Sequence, residues 1–206
     1  MSGNKYPISN LGTISCKNII VFRKTCSSYR NKKSVRLFYG NASEYFDYDQ
    51  VVVATHADET LNLIENPTEN EKKVLGCFHY KKNTAYLHND ENFMPRRKSA
   101  WSSWNSILNK DDVSKCSFTY WLNKLQNLKT KNNYFLTLNP IESINEKKIF
   151  KKIVFTHPFY DKKTIEAQKN LKELQGINNS WFCGSYFGYG FHEDGLKSAI
   201  DLTNNL

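Results

Sequence analysis

Val51, Val52, Val53 and Ala54 form an uninterrupted apolar run between the stretch 47–50 and Thr55-His56. A run of this kind, without alternation, is expected of a strand buried on both faces. Such a strand needs helices over it, which points to an α/β arrangement. Asp58 stands where it can cap a short helix carrying Leu61 and Ile64 at i, i+3.

The flanking sequence is read in the same terms. Residues 17–22 and 34–39 predict strands, with a polar turn between them. Thr68 followed by Glu71 fits a capping box and predicts a short helix over 68–75. Residues 77–90 read as two strands around Lys81-Lys82-Asn83, and further strands are expected at 100–107, 116–122, 134–138 and 149–155. This middle region fits an antiparallel or mixed sheet with one packed face. A helix is expected over 161–174, with Ile165, Gln168, Leu171 and Leu174 down one side and Gly176 as its stop. A short strand at 181–184, a glycine-rich loop and a helix at 196–202 close the chain. The fold class expected is α/β with a mixed sheet.

Composition narrows the function. The 206 residues carry a formal net charge of +9, enough to attract nucleic acid or anionic surfaces. The basic residues are dispersed, however, and the densest points, 30–33, 96–98 and 147–152, are not long runs. A solvated lysine-rich surface is favoured, and nucleic-acid binding is not expected. Cys16, Cys26, Cys77, Cys116 and Cys183 show no C-x-x-C spacing, so neither a zinc site nor a dithiol motif is signalled. Their odd number suits a reducing, cytoplasmic setting. No signal-peptide pattern and no membrane-spanning apolar run is read.

The closing segment carries the strongest functional signal. A short strand leads into a loop with glycines at 184, 188, 190 and 195, followed at once by a helix. Glycine lets backbone approach a ligand closely, and the N–H groups at a helix start favour an electron-rich oxygen or anion. A structural turn before an ordinary C-terminal helix is the competing reading. Glu193 and Asp194 are equally readable as acids complementing the helix dipole.

Among the five histidines, His56, His79, His88 and His157 read as packed or surface residues, and no pair has metal-ligand spacing. Trp101, Trp104, Tyr120 and Trp121 either line an apolar cavity or pack a core. Arg96, Arg97 and Lys98 read as a solvated loop, with anion binding as the alternative. No Ser/His/Asp or Cys/His nucleophile arrangement is present, and no catalytic acid or base is identified.

Three blocks together resemble a family of FAD-dependent oxidoreductases related to the amine oxidases and phytoene desaturases. They are FDYDQVVVATHADETL at 46–61; MPRRKSAWSSWN at 94–105 with FTYWLNKLQ at 118–126 and TLNP at 137–140; and WFCGSYFGYGFHEDG at 181–195. The resemblance covers about residues 46 to 206. It implies an incomplete FAD-binding, amine-oxidase-like fold. Residues 1–66 and 150–206 would be a partial, discontinuous FAD-binding domain, and 67–149 a β-rich, substrate-facing domain.

The resemblance also implies FAD as cofactor. It places Gly184, Ser185, Gly190, Phe191, His192, Glu193, Asp194 and Gly195 near the isoalloxazine and ribityl chain. Related enzymes carry an acid just after the first glycine; here Ser185-Tyr186 stands there. The family's G-x-G-x-x-G strand–turn–helix is not found before residue 60. The expectation is therefore a C-terminal fragment or subunit of an oxidoreductase, completed by an N-terminal FAD-binding half. The alternative is a non-enzymatic fragment that binds a partner chain carrying that half.

Overall fold

The computed structural model describes residues 25–39, 44–109 and 116–205. The strand expected at 17–22 lies outside them. In chain order the described elements are β1 (Thr25–Arg30), β2 (Val35–Tyr39), β3 (Glu44–Tyr48), β4 (Val51–Val53), α1 (Ala57–Leu63), α2 (Glu69–Leu75), β5 (His79–His88), β6 (Trp104–Leu108), β7 (Cys116–Trp121), α3 (Leu122–Leu125), β8 (Phe135–Leu138), β9 (Ile149–Phe159), α4 (Lys162–Gln168), β10 (Ser180–Phe182) and α5 (His192–Thr203). They fall into two compact units. One takes in the described residues up to Tyr80 and from Pro158 onward; the other takes in those from Lys81 to His157.

In the first unit, β1, β2 and β3 form an antiparallel sheet, and β4 pairs in parallel with β10. The β1 and β3 strands were not expected from the sequence. Their alternation is obscured by Arg30, Asp47 and the aromatics Tyr45, Phe46 and Tyr48.

The core gathers Val53 and Ala57 with Val74, Leu75, Leu171, Leu174 and Phe182. Only the odd residues of β4 face it. Val53 is buried, while Val52 is 46% exposed. The two-faced burial expected for this run is therefore absent, because β4 has a single described strand neighbour and a core on one side.

At the end of β1, Arg30 donates to both oxygens of Glu71, at 2.7 and 2.8 Å, and neither side chain is exposed. Glu71 closes the expected capping box: its Oε2 accepts from the Thr68 backbone at 2.7 Å, and Thr68 Oγ1 accepts from the Glu71 N–H. Burial pushes the Glu71 carboxyl up. The Arg30 hydrogen bonds, the Thr68 donors and the Arg30 charge outweigh it, and the net shift is downward.

Two helix expectations are corrected. The α1 helix starts at Ala57 after His56, so Asp58 sits in its first turn and does not cap it. The helix expected over 161–174 breaks after Gln168 and resumes as a tight turn at Leu171–Leu174. Its buried residues are Thr164, Ala167, Leu171 and Leu174, and Ile165 is turned outward. Asp161 caps α4, accepting from the Thr164 N–H at 2.8 Å. Gly176 follows with φ 74°, the left-handed stop its sequence position predicts.

The second unit is one sheet in the order β6-β7-β8-β5-β9, with antiparallel β6–β7, β7–β8 and β5–β8 pairs. The β5 strand is continuous, where two strands around 81–83 were expected. It is paired with β9 on its other edge, and past the β8 pairing the Thr84 N–H donates to Asn139 Oδ1 and the Asn139 N–H to the Thr84 carbonyl, both at 2.9 Å.

The packed face of this sheet is unusually polar. Ser117, Thr119, Thr137 and His88 are buried there beside Phe135, with Trp101 and Met94 packed over it. The His88 ring joins the ladder: its Nδ1 accepts from the Asp90 N–H at 3.0 Å. The proton must then be on Nε2, which donates to Thr137 Oγ1 at 2.7 Å. Thr137 meets Thr119 at 2.8 Å. Burial lowers the His88 pKa from 6.5 to about 4; Asp90 opposes this and Lys148 adds to it.

Candidate functional site

The parallel pair of β4 and β10 sets the position of the glycine loop. Val53 is in register with Phe182, and the Cys183 N–H donates to the Val53 carbonyl at 3.2 Å. Both strands therefore end side by side. The first runs through Thr55-His56 into α1, and the second through the 184–191 loop into α5. In open α/β sheets the crevice beyond the carboxyl ends of parallel strands is where ligands bind.

The loop is held by side chains of two helices, α4 and α5. Ser198 on α5 accepts from the Gly184 N–H at 2.9 Å and donates to the Gly195 carbonyl at 2.8 Å. Gln168 on α4 donates to the carbonyls of Tyr186 and Gly188 at 3.0 and 2.6 Å. Asp194 Oδ2 accepts from the N–H groups of Tyr189 and Phe191, both at 2.9 Å.

Gly188 is needed because a Cβ there would run into the Asp194 carboxylate. Gly190 combines φ 92° with a Tyr160 hydroxyl only 3.0 Å from where a Cβ would stand. Burial, then the Tyr80 and Asp194 charges, push the Tyr160 phenol up to about 12. Replacing Asp194 with alanine would leave two loop N–H groups without their acceptor. The expected cost is about 1–2 kcal/mol in urea unfolding, with faster amide exchange at Tyr189 and Phe191.

The eight sequence candidates divide by what their groups already do. The N–H groups of Gly184, Gly190 and Gly195 donate within the loop, to Ser198 Oγ and to the Ser185 and Phe191 carbonyls. The Asp194 carboxylate is the loop's cap. Ser185, His192 and Glu193 stand at the first turns of their helices, where backbone donors precede the first intrahelical bond. Phe191, His192 and Glu193 are exposed. The α5 helix begins at His192, not at the expected Leu196, so His192 and Glu193 lie inside its first turn. Gln168 and Ser198 were not seen as site residues in the sequence. Ser198 at i+3 from Gly195 was the available signal.

The loop also borders a groove of about 510 Å³ lined by Lys172, Tyr189, Asp194, Lys197 and Asp201 among others. Among the described residues, no cluster of histidine, cysteine or acidic side chains is suited to a metal ion.

The aromatic candidates separate by strand alternation. Trp101 and Trp121 meet edge to face at 5.2 Å in the second unit's core. Trp104 is 60% exposed and pairs edge to face with Tyr120 on the opposite side of the sheet. Arg96, Arg97 and Lys98 are exposed, and Lys98 sits 5.4 Å from the Trp101 ring. His56 stacks on Tyr80 at 4.3 Å.

No protein-family model matches the sequence, and no curated protein matches it. Solved structures do match in shape. A CLA-producing fatty acid isomerase from P. acnes aligns with TM-score 0.59 and 10% identity, over 89% of this chain and 47% of that one. Cyclohexylamine oxidase from Brevibacterium oxydans aligns with TM-score 0.56 and 9% identity, over 88% and 48%. Putrescine oxidase bound to putrescine gives TM-score 0.55 and 6% identity, over 87% and 48%.

The chain has an amine-oxidase-like fold. It spans about half the length of these structures. No helix of the described residues is long and apolar enough to cross a membrane.

Proposed function

We propose that this chain is the C-terminal part of an FAD-dependent oxidoreductase of the amine-oxidase-like class. In this reading the first unit belongs to the FAD-binding domain and the second faces substrate. The sequence-based division at 66/67 and 149/150 differs from the division of the described residues at 80/81 and 157/158. The observation that carries the reading is the parallel β4–β10 pair, which brings the Thr55-His56 turn beside the glycine loop.

The residues there fit a flavin. The N–H groups of Ser185, His192 and Glu193 would meet its electron-rich pyrimidine edge or ribityl oxygens, favoured by the positive end of α5. Gly184, Gly190, Asp194 and Gly195 would shape the loop that presents them, and Phe191 would lie against the cofactor. FAD would supply the hydride-accepting chemistry. The chain's own residues orient the cofactor and close the site around it.

A second reading rests on exposed apolar surface. Val52 is 46% exposed, and Leu196 and Ile200, one turn apart on α5, are 56% and 52% exposed. A two-stranded parallel sheet is normally covered on both faces. A dinucleotide-binding segment, on this chain or on a partner, would cover these residues and supply most of the FAD contacts. Without it the chain would be a non-enzymatic, partner-binding piece.

The test is the visible spectrum after incubation with FAD and desalting, for the chain alone and co-expressed with the coding sequence directly upstream. Retained flavin absorption is expected in the co-expressed sample, and loss of that absorption on replacing Gly188 with valine. A sample colourless in both cases overturns the flavin reading.

A further inference from the structure

The second unit has a cleft of about 350 Å³ on its open sheet face, lined by Trp104, Phe118, Tyr120 and Leu138 and edged by Asn83, Asn139 and His157. Its size is at the lower end of small-molecule sites, which run from about 300 Å³ upward. The apolar wall follows from pairing: Trp104 stands opposite Tyr120, and Phe118 opposite Leu138, so these residues share one face. The opposite face is buried in the unit's own core.

The polar edge is a chain of hydrogen bonds with a defined direction. The Thr84 backbone N–H can only donate, so the Asn139 atom it meets at 2.9 Å is the carbonyl oxygen. The Asn139 amide nitrogen therefore donates to Asn83 Oδ1, at 2.6 Å. That leaves the Asn83 amide nitrogen to donate to the Lys81 carbonyl at 3.2 Å and to His157 Nδ1 at 2.9 Å. With Nδ1 accepting, the ring proton sits on Nε2. No partner for that N–H is found among the described residues. A single backbone amide thus sets the tautomer of His157 through two asparagines, and the ring offers one outward donor at the edge of an apolar cleft.

We propose that this cleft binds an uncharged acyl compound, an amide or ester, whose chain lies along Trp104, Phe118, Tyr120 and Leu138 and whose carbonyl oxygen accepts from His157 Nε2–H. The lining contains no Asp, Glu, Lys or Arg. A carboxylate or an ammonium would find no counter-charge in the lining, whereas a neutral carbonyl needs only the one donor. An ammonium would also meet a donor where it needs an acceptor. The inference concerns the second unit alone and does not depend on flavin binding.

The test uses the full chain without cofactor and three probes of equal chain length: octanamide, octanoate and octylamine. Ring-nitrogen NMR is expected to show His157 as the Nε2–H tautomer, and octanamide to shift that resonance. Octanamide should bind about tenfold more tightly than the other two, the worth of one good hydrogen bond. His157→Phe should remove that preference and leave the fold intact, since this side chain is exposed.

Asn83→Asp is a second arm, because a carboxylate cannot donate to Nδ1. The neutral His157 ring then donates from Nδ1 to the carboxylate and presents Nε2 as an acceptor, so the preference for octanamide over octylamine is expected to be lost. An Nδ1–H tautomer in the unsubstituted protein, tighter octylamine than octanamide, or no octanamide shift at His157 overturns the proposal. These outcomes are independent of the flavin spectrum, so either idea can fail alone.

Discussion

Replacing Arg30 with alanine is expected to destabilise the protein by about 3–5 kcal/mol, read as a lower urea midpoint at unchanged slope. The guanidinium donates twice to Glu71 and once, at 3.4 Å, to the Asn66 carbonyl. Its side chain and that of Glu71 are wholly shielded from solvent. Removing it strands a buried carboxylate that also caps α2, and the unpaired charge accounts for most of the cost.

Replacing the pair together, Arg30→Met with Glu71→Leu, is expected to cost much less than the single change, since neither charge remains to be desolvated. The residual cost would be the lost cap on α2, about 1 kcal/mol. A single change costing under about 1 kcal/mol would show that water reaches the Glu71 carboxylate. The pH dependence has a definite sign. The folded Glu71 pKa lies below its ordinary value, so this contribution is full above the unfolded carboxyl pKa. It fades as pH falls through the folded one.

A second large effect is expected from acid at a different site. His88 titrates at 6.5 when unfolded and at about 4 in the folded chain. Between those values the unfolded chain binds the proton and the folded chain does not, so stability falls as pH drops through that window. The full contribution is present above pH 6.5 and is gone below about pH 4, a loss of about 3 kcal/mol from this residue. The cause is geometric. The ring is fully buried, with Nδ1 occupied by the Asp90 N–H and Nε2 committed to Thr137, so a second proton has no acceptor.

His88→Leu removes the titrating group. Its unfolding free energy should be lower than the parent's at neutral pH, by about 1–3 kcal/mol, because the Asp90 N–H loses its partner. The gap should close toward pH 4. A constant gap across that range would show that His88 does not carry the acid sensitivity. Glu71 and Asp90, both with lowered folded pKa values, act in the same direction but at lower pH.

Several elements were legible because their causes are local. Thr68 and Glu71 are three residues apart and close their box within one turn, so the pattern alone marks the start of α2. Gly176 ends its helical region as its position predicts. The strands of the second unit declare themselves by β-branched and aromatic residues. Their alternation even contains the division of the tryptophans: neighbours Tyr120 and Trp121 on β7 must face opposite ways.

Other features depend on distant partners. The run 51–54 was expected to be covered on both sides, yet its exposure is set by which strands and helices lie beside it. In the described residues that is β10 and one core. After Asp161 the buried side runs through Thr164, Ala167, Leu171 and Leu174 and leaves Ile165 outward, a choice set by what packs beside it. Of the glycine loop, the sequence named the residues but not their tasks. Asp194 proved to be the acceptor for two loop amides, and the bracing by Gln168 and Ser198 needed α4 and α5 to be in place.

By itself, then, the sequence determined what is decided within a few residues: most strands of the second unit, the box at Thr68 and Glu71, the stop at Gly176, and which loop is rich in glycine. The tertiary structure alone decided which strand β4 pairs with, that Arg30 meets Glu71, that His88 is sealed among threonines, and which nitrogen of His157 carries the proton. Each of these depends on groups far apart in the chain meeting within hydrogen-bond distance. Local propensity holds no information about that meeting, because it is set by how whole elements pack.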